Sequence, residues 1–260
     1  MLKNRKALIT GSTSGIGEGI ARVLAKQGVQ VMLHGFGDAE KISDLRRDLK
    51  TLSGAEVPFS DANLRHTEEV ENLIKDAISA MGNIDILVNN AGIQHVDSVQ
   101  DFPIERWDDV IAINLSAAFH AMRLALPNMQ ANGWGRIINI ASAHGLVASA
   151  KKSAYVAAKH GLLGLTKVVA LENAQSQITC NSICPGWVLT PLVQKQIDAI
   201  AANEGISISA AEKKLLSEKQ PSQRFTSPEQ LGEIVAFLCS DAAANVTGAS
   251  WSVDGGWTAQ

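Results

Sequence analysis

The chain has one tyrosine, three cysteines and no long run of basic or of apolar residues, and each shortage removes a class of function. An odd set of thiols, Cys180, Cys184 and Cys239, supplies neither a disulfide framework nor four metal ligands, so buried free thiols and no metal are expected. Basic residues gather only in pairs such as Arg46-Arg47 and Lys151-Lys152, and the net charge is −3. That composition excludes a surface for phosphate backbones, and with it nucleic-acid partners. From Met1-Leu2-Lys3-Asn4-Arg5 the sequence passes straight into a strand-like run without the core of a secretory leader, and nowhere do 18 apolar residues follow one another. No membrane span is expected, and the predicted compartment is the cytoplasm.

What is present is a chain of 260 residues, 46% hydrophobic, enough to bury one large core. No internal repeat or low-complexity stretch divides it, so residues 1–260 read as a single domain. Strand-like runs at 6–10, 29–33, 55–59, 84–88, 136–141, 178–183 and 249–253 alternate with helical patterns. Two of those patterns are Ile42, Leu45, Leu49 and Leu52, and Val70, Leu73, Ile74, Ala77, Ile78 and Met81. The alternation predicts an α/β fold, a doubly wound parallel sheet of Rossmann type with helices on both faces. Residues 154–174 are apolar nearly all the way round, as in a helix that packs on the sheet with one side and on another subunit with the other. Between about 191 and 220 a polar insertion carrying Leu192, Val193, Ile197, Ile200, Leu215 and Leu216 interrupts the alternation, and a helical lid is expected there.

The single tyrosine, Tyr155, has Lys159 four residues later and Ser142 thirteen residues earlier. Positions i and i+4 of a helix share a face, so the Lys159 ammonium can lie beside the phenol and favour its ionised form. Moving a phenol from about 10 toward about 7 takes roughly 4 kcal/mol. One cation supplies part of that, so a second positive charge or further donors must converge on the site. At the other end of the chain, the first strand leads into Gly11, Gly15 and Gly17 and then into a helical pattern ending near Gly28. Such a turn lets backbone approach a pyrophosphate, and the helix N-terminus favours its charge. The glycine spacing departs from the usual dinucleotide fingerprint and lacks the Gly-Lys-Ser/Thr ending of a triphosphate loop.

Taken together, Thr10-Gly11-Ser12-Thr13-Ser14-Gly15-Ile16-Gly17, Asn89-Asn90-Ala91-Gly92, Asn114, Ser142, Tyr155, Lys159 and Pro185-Gly186 resemble the short-chain dehydrogenase/reductase family over essentially the whole chain. The resemblance implies a nicotinamide-dependent oxidoreductase assembled as a homotetramer. It implies that Ser142 hydrogen-bonds the substrate oxygen and that Tyr155 exchanges its proton. Lys159 would bind the nicotinamide ribose while lowering the tyrosine, and Asn114 would hold a relay water. The cofactor cradle it implies runs through Gly11, Thr13, Ser14, Gly15, Ile16 and Gly17 to Asn90, Ala91 and Gly92. It continues at Pro185, Gly186, Val188 and Thr190, with Asn63 and Leu64 bordering the adenine. In the stretch His34-Gly35-Phe36-Gly37-Asp38, Phe36 stands where an acid for the ribose is often found, Asp38 is close and no basic residue is at hand. NAD is therefore the expected cofactor.

Gln94, His144, Lys152 and Gln196 follow or flank these motifs and can converge on one small anion, Lys152 supplying charge and the others directional hydrogen bonds. Within the family, the strings Asn90-Ala91-Gly92-Ile93-Gln94-His95, Ser142-Ala143-His144-Gly145-Leu146-Val147 and Pro185-Gly186-Trp187-Val188 resemble the bacterial D-3-hydroxybutyrate dehydrogenases, as do Lys152, Gln196 and Trp257. This resemblance implies a small hydroxy or keto acid substrate, its carboxylate held by the four polar side chains. Trp187 and Trp257 would limit room around the methyl end. The implied reaction is NAD-dependent oxidation of D-3-hydroxybutyrate to acetoacetate and its reverse. Two other readings stay open here. One is a 3-oxoacyl carrier-protein reductase or other short-chain alcohol dehydrogenase, and the other a non-catalytic nucleotide-sensing module.

Overall fold

A computed structural model describes residues 2–259. Seven strands form one sheet: β1 (Lys6–Ile9), β2 (Gln30–His34), β3 (Phe59–Ser60), β4 (Ile86–Asn89), β5 (Gly135–Ile140), β6 (Ile178–Pro185) and β7 (Ser250–Val253). Their order is β3-β2-β1-β4-β5-β6-β7, and every neighbouring pair is parallel. A parallel sheet is covered on both faces, and so β4, β5 and β6 are buried along their whole length.

One face is covered by α1 (Gly15–Lys26) and α2 (Ala39–Ser53), which bury Ile20, Leu24, Leu45 and Leu49 against the inward residues of β1 and β2. On the other face, α3 (Thr67–Met81) buries Leu73, Ile74 and Ala77. Next along the chain, α4 (Ile104–Ile111) passes through a π turn, Ala112–Ser116, into α5 (Ala117–Ala131), and α6 (Ser153–Glu172) follows. Both α5 and α6 lie with α3, contributing Ala121, Met122 and Leu162 to the same cluster. The chain then forms α7 (Pro191–Glu204), α8 (Ile208–Ser217) and α9 (Pro228–Cys239), and α9 returns to the α1 face with Leu231 and Val235. Strand order reverses between β1 and β4, so the crevice for a ligand opens at the carboxyl ends of those strands.

The fold confirms the expected doubly wound sheet, with differences in detail. The third strand is only two residues long rather than 55–59, because Gly54 ends α2 in the left-handed conformation and Pro58 has no N–H to give a ladder. Residues 104–131 form one continuous helical stretch that the sequence pattern did not single out. By length and composition it is apolar enough to cross a membrane, yet Ala117, Ala121, Met122 and Ala125 are buried against the sheet. The insertion is helical as expected. Thr190 and Ser207 cap α7 and α8, Gly205 turns between them, and Val193, Ile197, Ala201, Ala211 and Leu215 form a small core of their own. All three thiols are free and buried, and burial pushes Cys184 up to about 11.

Candidate active site

The glycine turn is held in place by backbone crowding and by side chains from the neighbouring strands. Gly11 has φ +64, and a Cβ on it would lie 2.9 Å from Ala91 Cα; a Cβ on Gly17 would lie 2.3 Å from the Gly11 carbonyl oxygen. Neither position admits a side chain, so backbone lines the crevice. Asn90 Nδ2 donates to the carbonyls of Thr10 and Gly11, both at 2.9 Å. In return Thr10 Oγ1 accepts from the N–H groups of Asn90 (3.0 Å) and Ala91 (3.1 Å). At the start of α1, Ser14 is extended and its side chain caps none of the first-turn N–H groups, which leaves those donors for an anion. Thr13 Oγ1 donates to the Phe36 carbonyl at 2.8 Å, and the Thr190 methyl is the group nearest Gly15. Gly92 faces Asn114, Ile16 is half-buried beside the turn, and Pro185 and Gly186 end β6. Val188 pairs with Thr226 just beyond. A cradle of bare backbone beside uncapped helix donors fits a dinucleotide pyrophosphate.

The proposed adenine border is less direct. Leu64 is buried, while Asn63 donates its N–H to Glu69 and accepts from the Arg65 N–H through its side-chain oxygen. Phe36 is 65% exposed. At the same corner Asp38 caps α2 by accepting from the Lys41 N–H at 3.0 Å, so its carboxylate is partly engaged.

Sequence reasoning missed His34. This side chain is buried at the end of β2, accepts from Gly11 N–H through Nδ1 at 3.1 Å, and meets the Ala62 carbonyl through Nε2 at 2.9 Å. Because Gly11 N–H can only donate, the ring proton sits on Nε2 and His34 is neutral. Burial holds its pKa below the ordinary histidine value, against the nearby Asp61 carboxylate. One ring thus ties the glycine turn to the loop that carries Asn63. Replacing it by leucine should raise KM for the dinucleotide by about tenfold, the cost of losing about one or two hydrogen bonds, and change kcat little. In His34→Asn an amide oxygen can again accept from Gly11, and a cofactor titration should show much of the loss restored.

Where β5 ends, the catalytic candidates come together. Ser142 Oγ accepts from His144 N–H at 3.1 Å and hydrogen-bonds Tyr155. Lys159 Nζ donates to the Ile140 carbonyl at 2.8 Å and lies 5.6 Å from the centroid of the Tyr155 ring. Asn114, buried in the π turn, grips the loop after β4 by accepting from Ile93 N–H (2.8 Å) and donating to the Ile93 carbonyl (2.9 Å). These two bonds engage one of its two amide hydrogens and leave the other for a further acceptor such as a water. Within the chain alone, Tyr155 is pushed above the usual phenol value, because burial outweighs the Ser142 hydrogen bond, and Lys159 is itself held down to about 8 by burial. The lysine does not by itself produce a phenolate.

At the substrate end, the His144 ring sits edge-on to Tyr155, with centroids 5.9 Å apart, and to Trp257, at 5.0 Å. Trp257 is placed by buried Asp254, which accepts from Gly256 N–H, Thr258 N–H and Thr258 Oγ1. Lys152 stands at the N-cap of α6 and is held below its usual value by burial and by Lys219. Burial together with Lys152 and Lys219 pushes His144 down to about 4, so at neutral pH it is an uncharged imidazole. The loop bearing Gln94 joins this corner where the backbone of Asp97 pairs with that of Lys152 in an isolated parallel bridge. Gln94 and Gln196 are both exposed, and neither hydrogen-bonds His144 or Lys152. The reason is local: Gln94 lies in a loop and Gln196 on the outer side of α7. Trp187 packs with the core of the insertion, and Gln220 holds its N–H at 2.9 Å. Asp254, Lys219 and Gln220 join the predicted set. Asp254 carries only the weak signal of polarity just past a strand end, and Lys219 and Gln220 none.

A family model described as enoyl-(acyl carrier protein) reductase matches residues 11–258. The chain is 56% identical over 260 residues to D-beta-hydroxybutyrate dehydrogenase of Cupriavidus necator, covering 100% of both. With the D-beta-hydroxybutyrate dehydrogenase of Rhizobium meliloti it shares 51% identity over 256 residues, 98% of this chain and 99% of that one. A solved structure of an actinorhodin polyketide ketoreductase variant with NADPH matches with a TM-score of 0.89 at 34% identity, covering 98% of each chain.

Proposed function

Because the chain belongs to the short-chain dehydrogenase/reductase family, we propose that it oxidises D-3-hydroxybutyrate to acetoacetate with NAD and catalyses the reverse reduction. The observation that carries this reading is the pairing of a proton-transferring phenol, Tyr155, with neutral His144 and cationic Lys152 in one corner bounded by Trp257. A carboxylate two carbons from the reacting hydroxyl carbon finds its counter-charge there. NAD, when bound in the cradle of Gly11 to Gly17, supplies the hydride acceptor. Tyr155 takes the proton of the substrate hydroxyl, and Ser142 holds that oxygen by its hydroxyl. Lys159, anchored on the Ile140 carbonyl, adds positive charge that favours the phenolate, to which the positive ring of the oxidised cofactor contributes. Asn114 keeps the loop after β4 in register with these groups.

The choice of NAD rests on charge. A 2′-phosphate at the Phe36–Asp38 corner would meet the Asp38 carboxylate, and Lys41, the nearest basic residue along the chain, is exposed in the first turn of α2. Catalytic efficiency with NAD should exceed that with NADP by at least about tenfold, equivalent to about 1.4 kcal/mol of net disfavour. The α7–α8 hairpin acts as a lid over the pocket, which its separate small core supports. Exposed Val168 and Leu171 on α6, with Phe119 on α5, support burial against other subunits in a homotetramer, and the free thiols suit the reducing cytoplasm.

The direct test is a panel of D-3-hydroxybutyrate, its neighbours in chain length and a 3-hydroxyacyl thioester, each assayed with NAD and with NADP. D-3-hydroxybutyrate with NAD should lead. A preference for the thioester with NADP would replace this reading by that of a carrier-protein reductase, and no turnover with any would favour a nucleotide-sensing role.

A further inference from the structure

Lys219 follows α8 at the end of the insertion and is half-buried. Its ammonium donates to Ser149 Oγ at 3.1 Å and stands 5.6 Å from the centroid of the Trp257 ring. Ser149 Oγ lies in turn 2.9 Å from His144 Nε2. Since an ammonium only donates, the Ser149 hydroxyl is free to give its own hydrogen to Nε2, which leaves the His144 proton on Nδ1. Lys219 also acts on Lys152, and each ammonium lowers the basicity of His144 between them. Among the described residues neither lysine forms an ion pair, and Glu218 is the one acid that offsets Lys152.

The Trp257 indole attracts the Lys219 ammonium, but two half-buried ammoniums acting on one imidazole repel each other, an unfavourable arrangement for a protein to keep unless an anion completes it. Lys152 belongs to α6 and Lys219 to the insertion, so the missing charge lies between core and lid. We propose that Lys219 is a second carboxylate-binding cation of this pocket, a specificity-determining residue that selects the acid together with Lys152. The proposal rests on the hydroxy-acid reading above and adds to it that substrate charge joins the insertion to the core.

The test compares acetoacetate with its methyl ester in the wild type, Lys219→Met, Lys219→Arg and Lys152→Ala. Methionine keeps an apolar stem over Trp257 and removes the charge. Lys219→Met should lower kcat/KM for acetoacetate by about ten- to a hundredfold and leave the ester within about twofold, and Lys219→Arg should recover most of the loss. Equal losses on both substrates in Lys219→Met, with the loss in Lys152→Ala still confined to the acid, would make Lys219 a tether of the insertion only and overturn the proposal. A wild type that prefers the ester would instead remove the hydroxy-acid reading, and this proposal with it.

Discussion

Tyr155→Phe should reduce turnover by at least about a hundredfold, the lower end for loss of a general base, while cofactor affinity changes little. The ring is half-buried between Lys159 and His144, and phenylalanine fills the same space without the oxygen that Ser142 contacts. The same chemistry fixes the sign of the pH dependence. Oxidation consumes the phenolate, so kcat/KM for the alcohol rises with pH through the apparent pKa of the Tyr155–Lys159 pair. Reduction consumes the phenol and falls across that window. Burial raises the phenol and holds the lysine down to about 8, which places the crossing on the alkaline side of neutrality until cofactor charge is added. Paired pH profiles in the two directions check this, together with turnover of the variant after its fold has been verified by circular dichroism. Near-wild-type turnover in folded Tyr155→Phe would remove Tyr155 from the mechanism.

Whether a feature was legible in the sequence depended on how far its partner lies along the chain. The glycine turn needs strand, glycines and helix within a stretch of about twenty residues, and Tyr155 meets Lys159 one turn along the same helix; such patterns are local. Thr10 matters through Asn90, 80 residues away, and Lys219 through Ser149, 70 away. No periodicity marks such pairs, because sheet order and the path of the insertion create them. His34 lies nearer to its partner, 23 residues from Gly11, but in a strand-end string that also reads as ordinary chain. The convergence of Gln94 and Gln196 was inferred from motif order. Motif order does not fix side-chain direction, and both side chains are exposed. The helical stretch 104–131 escaped notice for another reason: the π turn at Ala112–Ser116 shifts the phase of its apolar positions, so no single 3.6-residue period runs through it.

For Lys152, placement is itself an argument. A cation at the N-cap of α6 sits at the positive end of the helix dipole, and its side chain makes no capping bond. Burial and Lys219 oppose its charge further. Stability does not account for such a residue, whereas a carboxylate ligand does, gaining a charge-assisted partner at a corner where helix N-terminus, neutral His144 and two ammoniums all favour an anion. Losing one charge-assisted bond costs about 1.5–3 kcal/mol, equivalent to roughly ten- to a hundredfold in efficiency. Lys152→Ala should lose that factor with acetoacetate and little with the methyl ester, whose reacting carbonyl is the same. Because both substrates share one active site, damage to the fold cancels in the ratio. An equal loss on the two would make Lys152 structural, and Lys219 with neutral His144 would be left as the groups at that corner able to orient the substrate.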